Sequence, residues 1–198
     1  MFQTTKLSSH FEELAENKWT VLTLPAVDVN LIRDEAFAHL KKNEFRPAEL
    51  ANFKKVVSEI RNDVIYWLDP TQNTLTENER TVLKKIDFLR QQLKNYFRIA
   101  LDEFECHYAH YQKGHYYQRH LDTTSINNKR FFSFVIYLNS DWSEQDGGQL
   151  LGYHEDEVLF SLKPELGNMI LFRSDLPHEV LPTQKDRLSL TGWFRKLT

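Results

Sequence analysis

Apolar and polar positions along this chain follow two rhythms. Up to about residue 102 the repeat is mostly helical, and from Glu103 onward it alternates every second residue. Residues 8–16 are predicted to form a short helix capped by Ser8 or Ser9, with Glu12 or Glu13 in its first turn. Trp19 to Leu24 is rich in β-formers and ends at Pro25, which predicts a strand. From about Val27 to Lys42, apolar residues at Leu31, Ile32, Ala36, Phe37 and Leu40 recur at helical spacing. Phe45 to Asn52 has no clear period and contains Pro47. Ile60 to Asp69 has a β-rich centre and stops at Pro70, and residues 71–79 are polar enough to be a loop. Thr81 to Leu101 carries Val82, Ile86, Leu89, Leu93, Phe97 and Leu101, the stripe of a long amphipathic helix packed against a sheet.

Short strand candidates then follow one another at 104–111, 115–121, 131–139, 148–153, 157–162, 167–173, 178–182 and 187–195. Turn signals separate them, most plainly Asp146-Gly147-Gly148 and Pro164-Glu165-Leu166-Gly167. Strands at this spacing, with no helical pattern between them, predict a sandwich or jelly roll. The fold class is therefore read as α+β. A double-stranded β-helix (jelly roll) core occupies 103–198, and residues 1–102 form a mainly helical support within one domain spanning 1–198. In 131–139, Phe132, Phe134, Ile136 and Leu138 share one face, while Phe131, Ser133, Val135, Tyr137 and Asn139 share the other. In 187–194, Leu188, Leu190 and Phe194 lie opposite Arg187, Ser189, Thr191 and Trp193. The apolar faces suit contact with the helices. The mixed faces suit the inside of a barrel holding a polar ligand, the plainer alternative being a face turned to solvent.

Composition narrows the partners. Hydrophobic residues make up 41% and aromatic ones 13% of the chain, which excludes global disorder. A formal charge of -3 gives no reason to expect nucleic acid or an anionic membrane surface. One cysteine, Cys106, excludes an internal disulfide framework and suits a reducing compartment. No apolar run approaches the roughly 18 residues of a membrane span, and Met1 to Lys6 lacks a signal-peptide pattern. A cytoplasmic protein is expected, with its oligomeric state left open.

Chemistry concentrates between Tyr111 and Asp122. In an extended strand, residues two apart project from one face, so His120 and Asp122 can both reach a single ion. Such a pair arises easily by chance. It gains weight from His178 and Arg187, also on predicted strands. Two imidazoles and one carboxylate on one side of an ion, with open positions opposite, is the arrangement of non-haem Fe(II) oxygenases. His107, His110, His115 and His154 are read as surface or core histidines, the commoner fate of that residue.

Several ordered blocks also carry a family resemblance. They are Tyr111-x-x-Gly114-x-x-Tyr117-x-x-His120-x-Asp122, Ile136-Tyr137-Leu138-Asn139, Asp141-Trp142 leading to Gly147-Gly148, Pro177-His178-Glu179-Val180 and Arg187-x-x-x-Thr191-x-Trp193. Together they resemble the Fe(II)/2-oxoglutarate dioxygenases of the prolyl 4-hydroxylase superfamily, in particular the prolyl hydroxylase domain enzymes of oxygen sensing and their bacterial relatives. The resemblance covers roughly 103–195, and Ile60-Arg61-Asn62-Asp63 with Trp67 extends it upstream. It implies His120, Asp122 and His178 as iron ligands, and Arg187 with Tyr137 on the distal carboxylate of 2-oxoglutarate. Tyr111 would line the same pocket, although the turn between it and Gly114 is one residue shorter than in relatives. Thr191 would bond a group on the iron, and Trp193 would wall the iron site. Asp63 and Arg130 would form an ion pair tying a substrate loop to the core, with segments 45–75 and 122–130 as lids.

The implied activity is hydroxylation of a prolyl residue in a protein by Fe(II), 2-oxoglutarate and O2. Succinate and CO2 would be co-products and ascorbate the reductant. A translation component is the first partner to test, by analogy with the wider family. Two other readings stand beside this one: the same chemistry on a free amino acid or other small molecule, and a metal-holding jelly-roll module with no oxidation.

Overall fold

A computed structural model describes residues 4–49, 57–123 and 128–197. The helices are α1 (Thr4–Asn17), α2 (Ala26–Lys41) and α3 (Glu77–Phe97). The strands are β1 (Trp19–Thr23), β2 (Arg46–Pro47), β3 (Val64–Leu68), β4 (Glu103–Tyr111), β5 (Tyr117–His120), β6 (Arg130–Tyr137), β7 (Leu150–His154), β8 (Glu157–Leu162), β9 (Asn168–Arg173), β10 (His178–Val180) and β11 (Arg187–Arg195). They form a seven-stranded sheet in the order β1-β9-β6-β11-β4-β3-β2 and a four-stranded sheet in the order β5-β10-β7-β8, with every named pairing antiparallel. This is the expected jelly roll on a helical layer. The N-terminal half does more than support it, because β1, β2 and β3 extend the large sheet at both edges.

Alternation along the central strands separates two cores. Phe132, Phe134, Ile136, Leu188, Leu190 and Phe194 face the helices and pack with Leu14, Ile32, Ile86 and Leu93. Val135, Tyr137, Ile170 and Phe172, on the opposite face, pack against Leu150, Phe160 and Val180 of the small sheet. A one-residue slip in β6 or β11 would exchange these faces, so burial on both sides holds the register.

The helix boundaries differ from expectation for physical reasons. Helix α1 starts upstream of Ser8 and Ser9 because Leu7, Phe11 and Leu14 form one buried stripe, and burying Leu7 outweighs a cap at either serine. In α2 the buried stripe is Asp28, Val29, Ile32, Ala36 and His39, while Phe37 is left exposed. Its two polar members are held by Lys85, at 2.5 Å from Asp28, and by the carboxylates of Glu44 and Glu79. Helix α3 begins inside the expected 71–79 loop, where Thr76 and Glu79 form a reciprocal capping box. It stops at Arg98, which turns left-handed, so Leu101 is buried beyond the helix rather than on it.

Candidate active site

Strands β5 and β10 are antiparallel neighbours with His120 opposite His178, and the chain leaving β5 brings Asp122 back beside them. Ligating atoms of the three side chains all lie within 4.8 Å of one another. The Asp122 carboxylate is 3.7 Å from His120 Nε2 and 3.4 Å from His178 Nε2. Each imidazole has its Nδ1 2.8 Å from a backbone carbonyl, Gln118 for His120 and Leu176 for His178. Those contacts make Nδ1 the protonated nitrogen and leave the Nε2 lone pairs facing the carboxylate. Ser133 donates to Asp122 Oδ2 at 2.6 Å and is itself 2.9 Å from Ser174, so the carboxylate is oriented from behind. Tyr117 stacks on His120 at 3.5 Å, and Phe172 meets His178 edge-on at 4.8 Å.

Protonation states suit a cation. Burial works against the charge on Asp122, but the imidazoles, His178 first, hold its carboxyl well below the usual range. Burial pushes His178 down to about 4, leaving it neutral near pH 7, the form that coordinates metal. Two imidazoles and a carboxylate are the donor set for non-haem Fe(II). The residues present therefore fit that ion.

The triad opens on a cavity of about 690 Å³ bounded by both sheets. Arg187, Tyr111, Thr191 and Trp193 line it, placed on neighbouring strands by the β4–β11 register. Arg187 is 1% exposed, and its Nε donates to the Gly148 carbonyl at 2.9 Å. Gly148 has φ +67°, and a Cβ there would come within 3.1 Å of the Arg187 side chain, so glycine permits this approach. The guanidinium lies 5.0 Å from the Tyr111 ring and 5.3 Å from that of Tyr137. Tyr137 sits beside Arg187 with its hydroxyl buried and, among the described residues, no hydrogen bond of normal geometry. Burial pushes that hydroxyl up to about 12, against the opposing Arg187 charge, so it is a proton donor at neutral pH. A buried cation and an unused donor together suit an anionic carboxylate.

Asp63 and Arg130 do not pair. Asp63 is held by Arg61 through two bonds of 2.8 and 2.6 Å, a fork set up by residues two apart. Arg130 instead binds Glu105 at 2.7 Å and lies 3.6 Å over the Trp193 ring. The Asp63–Arg130 expectation is thus corrected: each partner found a nearer opposite charge. Arg61 also lies over Tyr117 at 4.4 Å, linking its segment to the His120 stack. Of the expected lids, 50–56 and 124–127 lie outside the described residues. The described part, including Arg46, Pro47 and Glu49, borders the cavity.

Sequence reasoning passed over Ser133, Arg61 and His107. The alternation that put Ser133 on the mixed face, and the Arg-x-Asp spacing at 61–63, were the available signals. His107, read as an ordinary histidine, lines the cavity.

A family model for the 2OG-Fe(II) oxygenase superfamily matches residues 106–195. The crystal structure of a Pseudomonas putida prolyl-4-hydroxylase aligns with a TM-score of 0.86 and 37% identity, covering 96% of this chain and 99% of that one. A Trichoplax adhaerens prolyl hydroxylase, solved with a hypoxia inducible factor peptide fragment, aligns with a TM-score of 0.85 and 26% identity, covering 98% and 90%. Prolyl 3-hydroxylase OGFOD1 of Xenopus laevis is 36% identical over 76 residues, which is 33% of this chain but only 15% of that protein. The chain belongs to the 2OG-Fe(II) oxygenase superfamily and is of the prolyl hydroxylase type. Members of that family work with Fe(II), 2-oxoglutarate and O2.

Proposed function

We propose that this protein is an Fe(II)- and 2-oxoglutarate-dependent dioxygenase that hydroxylates a prolyl residue of a protein substrate, with succinate and CO2 as co-products. The observation that carries the reading is the convergence of His120, Asp122 and His178 in the same cavity as the buried Arg187. A polypeptide substrate is favoured over a free amino acid because the cavity extends past the triad to the 44–49 segment and the half-exposed Trp67.

In this reading His120, Asp122 and His178 hold the iron, and Ser133 orients the carboxylate. Arg187 takes the distal carboxylate of 2-oxoglutarate, with Tyr137 as second donor and Tyr111 packed against the pair. When bound, the iron and its co-substrates supply oxidative decarboxylation and hydroxyl transfer to a C–H bond. The chain's own part is to bind, orient and exclude water. Thr191 offers a hydroxyl on the cavity wall, Trp193 screens that wall, and the Asp63–Arg61 fork steadies the strand that carries His120. Ascorbate would serve as reductant, and the single buried Cys106 is in keeping with action in a reducing cytoplasm.

Conversion of 2-oxoglutarate to succinate, measured with iron and ascorbate, tests the chemistry. His178→Ala should abolish it while leaving the fold intact, and full turnover in that variant would overturn the assignment. Mass spectrometry of lysate proteins incubated with and without the enzyme, translation proteins first, should reveal a gain of about 16 daltons on proline. Gains confined to other residues or to small molecules would overturn the prolyl reading.

A further inference from the structure

Among the described residues four histidines are buried, and three are held by partners. His39 lies between Glu44 and Glu79, His110 meets Asp186, and His178 meets the Leu176 carbonyl. His107 is different. It is 3% exposed, its Nδ1 has no partner, and no hydrogen bond to a described residue reaches Nε2. Leaving a buried polar group unpaired costs on the order of 1–3 kcal/mol, and packing alone requires no nitrogen there. Its ring lies edge-on to Trp67 at 4.7 Å and 5.4 Å from Trp193, whose indole Nε1 is likewise buried and unpartnered. Two unused hydrogen-bonding groups thus share one stretch of cavity wall.

Register says what that stretch is for. His107 pairs with Thr191 on β11 and Trp67 on β3, whereas Arg187 pairs with Tyr111. His107 and Tyr111 are four residues apart on β4, roughly 13 Å along a strand, too far for His107 to share the carboxylate anchor. The half-exposed Trp67 connects His107 to the cavity mouth instead. Burial holds the ring neutral, its pKa pushed down to about 3 with Arg61 adding to the effect. A neutral imidazole offers one donor and one acceptor, the complement of a peptide group.

We propose that His107 is a substrate-binding residue that hydrogen-bonds a backbone amide of the polypeptide next to the target proline, with the Trp193 indole N–H as a second donor. Proline has no N–H of its own, so the amide is that of a neighbouring residue. This rests on the prolyl reading above.

The test uses the holoenzyme with iron and 2-oxoglutarate under nitrogen, where no turnover occurs. The probe is a capped pentapeptide with proline at its centre and alanine elsewhere, and binding is followed by tryptophan fluorescence. His107→Leu should weaken binding about five- to tenfold. His107→Gln, which keeps a donor and an acceptor, should recover most of it. An ester in place of the amide after proline should weaken binding to the natural protein but not to His107→Leu. In air, KM for the peptide should rise in His107→Leu without a matching rise in KM for 2-oxoglutarate. Equal peptide binding by both proteins, or a parallel rise in the two KM values, overturns the proposal while sparing the prolyl reading. No binding of the peptide by the natural protein removes both.

Discussion

Replacing Tyr137 by Phe should move stability and ligand binding in opposite directions. The Tyr137 side chain is fully buried, its hydroxyl beside the Arg187 guanidinium with no hydrogen bond of normal geometry among the described residues. Without a ligand that hydroxyl contributes nothing and keeps its desolvation cost, about 1 kcal/mol at the low end for an unmade buried hydrogen bond. Tyr137→Phe should therefore stabilise the ligand-free protein by about 1 kcal/mol, roughly 2–4 °C in Tm for a chain of this length. With 2-oxoglutarate bound, the same hydroxyl would donate to a carboxylate, a charge-assisted bond of about 1.5–3 kcal/mol. Its loss should raise the ligand's Kd by about tenfold or more. Thermal melts in Mn(II), a redox-inert stand-in for iron, with and without saturating 2-oxoglutarate, read both effects. The variant should start higher, and its ligand-induced shift should be smaller by about 1.4 kcal/mol per tenfold of lost affinity. A variant that is less stable alone and shifts as much as the natural protein would refute the reasoning, since the hydroxyl would then be serving the fold.

Ser133→Ala removes the 2.6 Å bond to Asp122 Oδ2. Metal affinity, titrated anaerobically by calorimetry, should fall about 10–100-fold, and unchanged affinity would deny Ser133 its orienting role. Gly148→Ala forces a side chain into a left-handed backbone and against Arg187 and Thr183. Stability should drop by about 1 kcal/mol or more in urea unfolding, with weaker 2-oxoglutarate binding; a neutral outcome in both would mean that Arg187 is not seated by this glycine. His107 has its folded pKa pushed from 6.5 to about 3 by burial. Between those values the unfolded chain binds a proton that the folded chain refuses, so stability is full above about 6.5 and falls as pH drops. At pH 5 the loss is about 2 kcal/mol. His107→Leu should lose less stability between pH 7 and pH 5 by that amount, and equal acid sensitivity would contradict the burial argument.

Local pattern made much of this protein legible from its residues. Alternation in 131–139 and 187–194 sorted the helix-facing side from the ligand-facing side, because a strand's side chains have a period of two whatever packs against them. Spacing put His120 beside Asp122, and ordered blocks tied them to His178 and Arg187. Helix ends were less legible: the capping box at Thr76 lies within a polar run, and Leu7 extends α1 only because a core exists to receive it. Ion pairing was decided in three dimensions. Asp63 took Arg61, two residues away, while the fold brought Arg130 to Glu105, 25 residues away in sequence. The same holds for His107, since only the packed sheet shows a buried ring whose Nδ1 meets no partner among the described residues. Periodicity is a property of the backbone and travels with the sequence, whereas the partner of a buried polar atom depends on which distant strands meet.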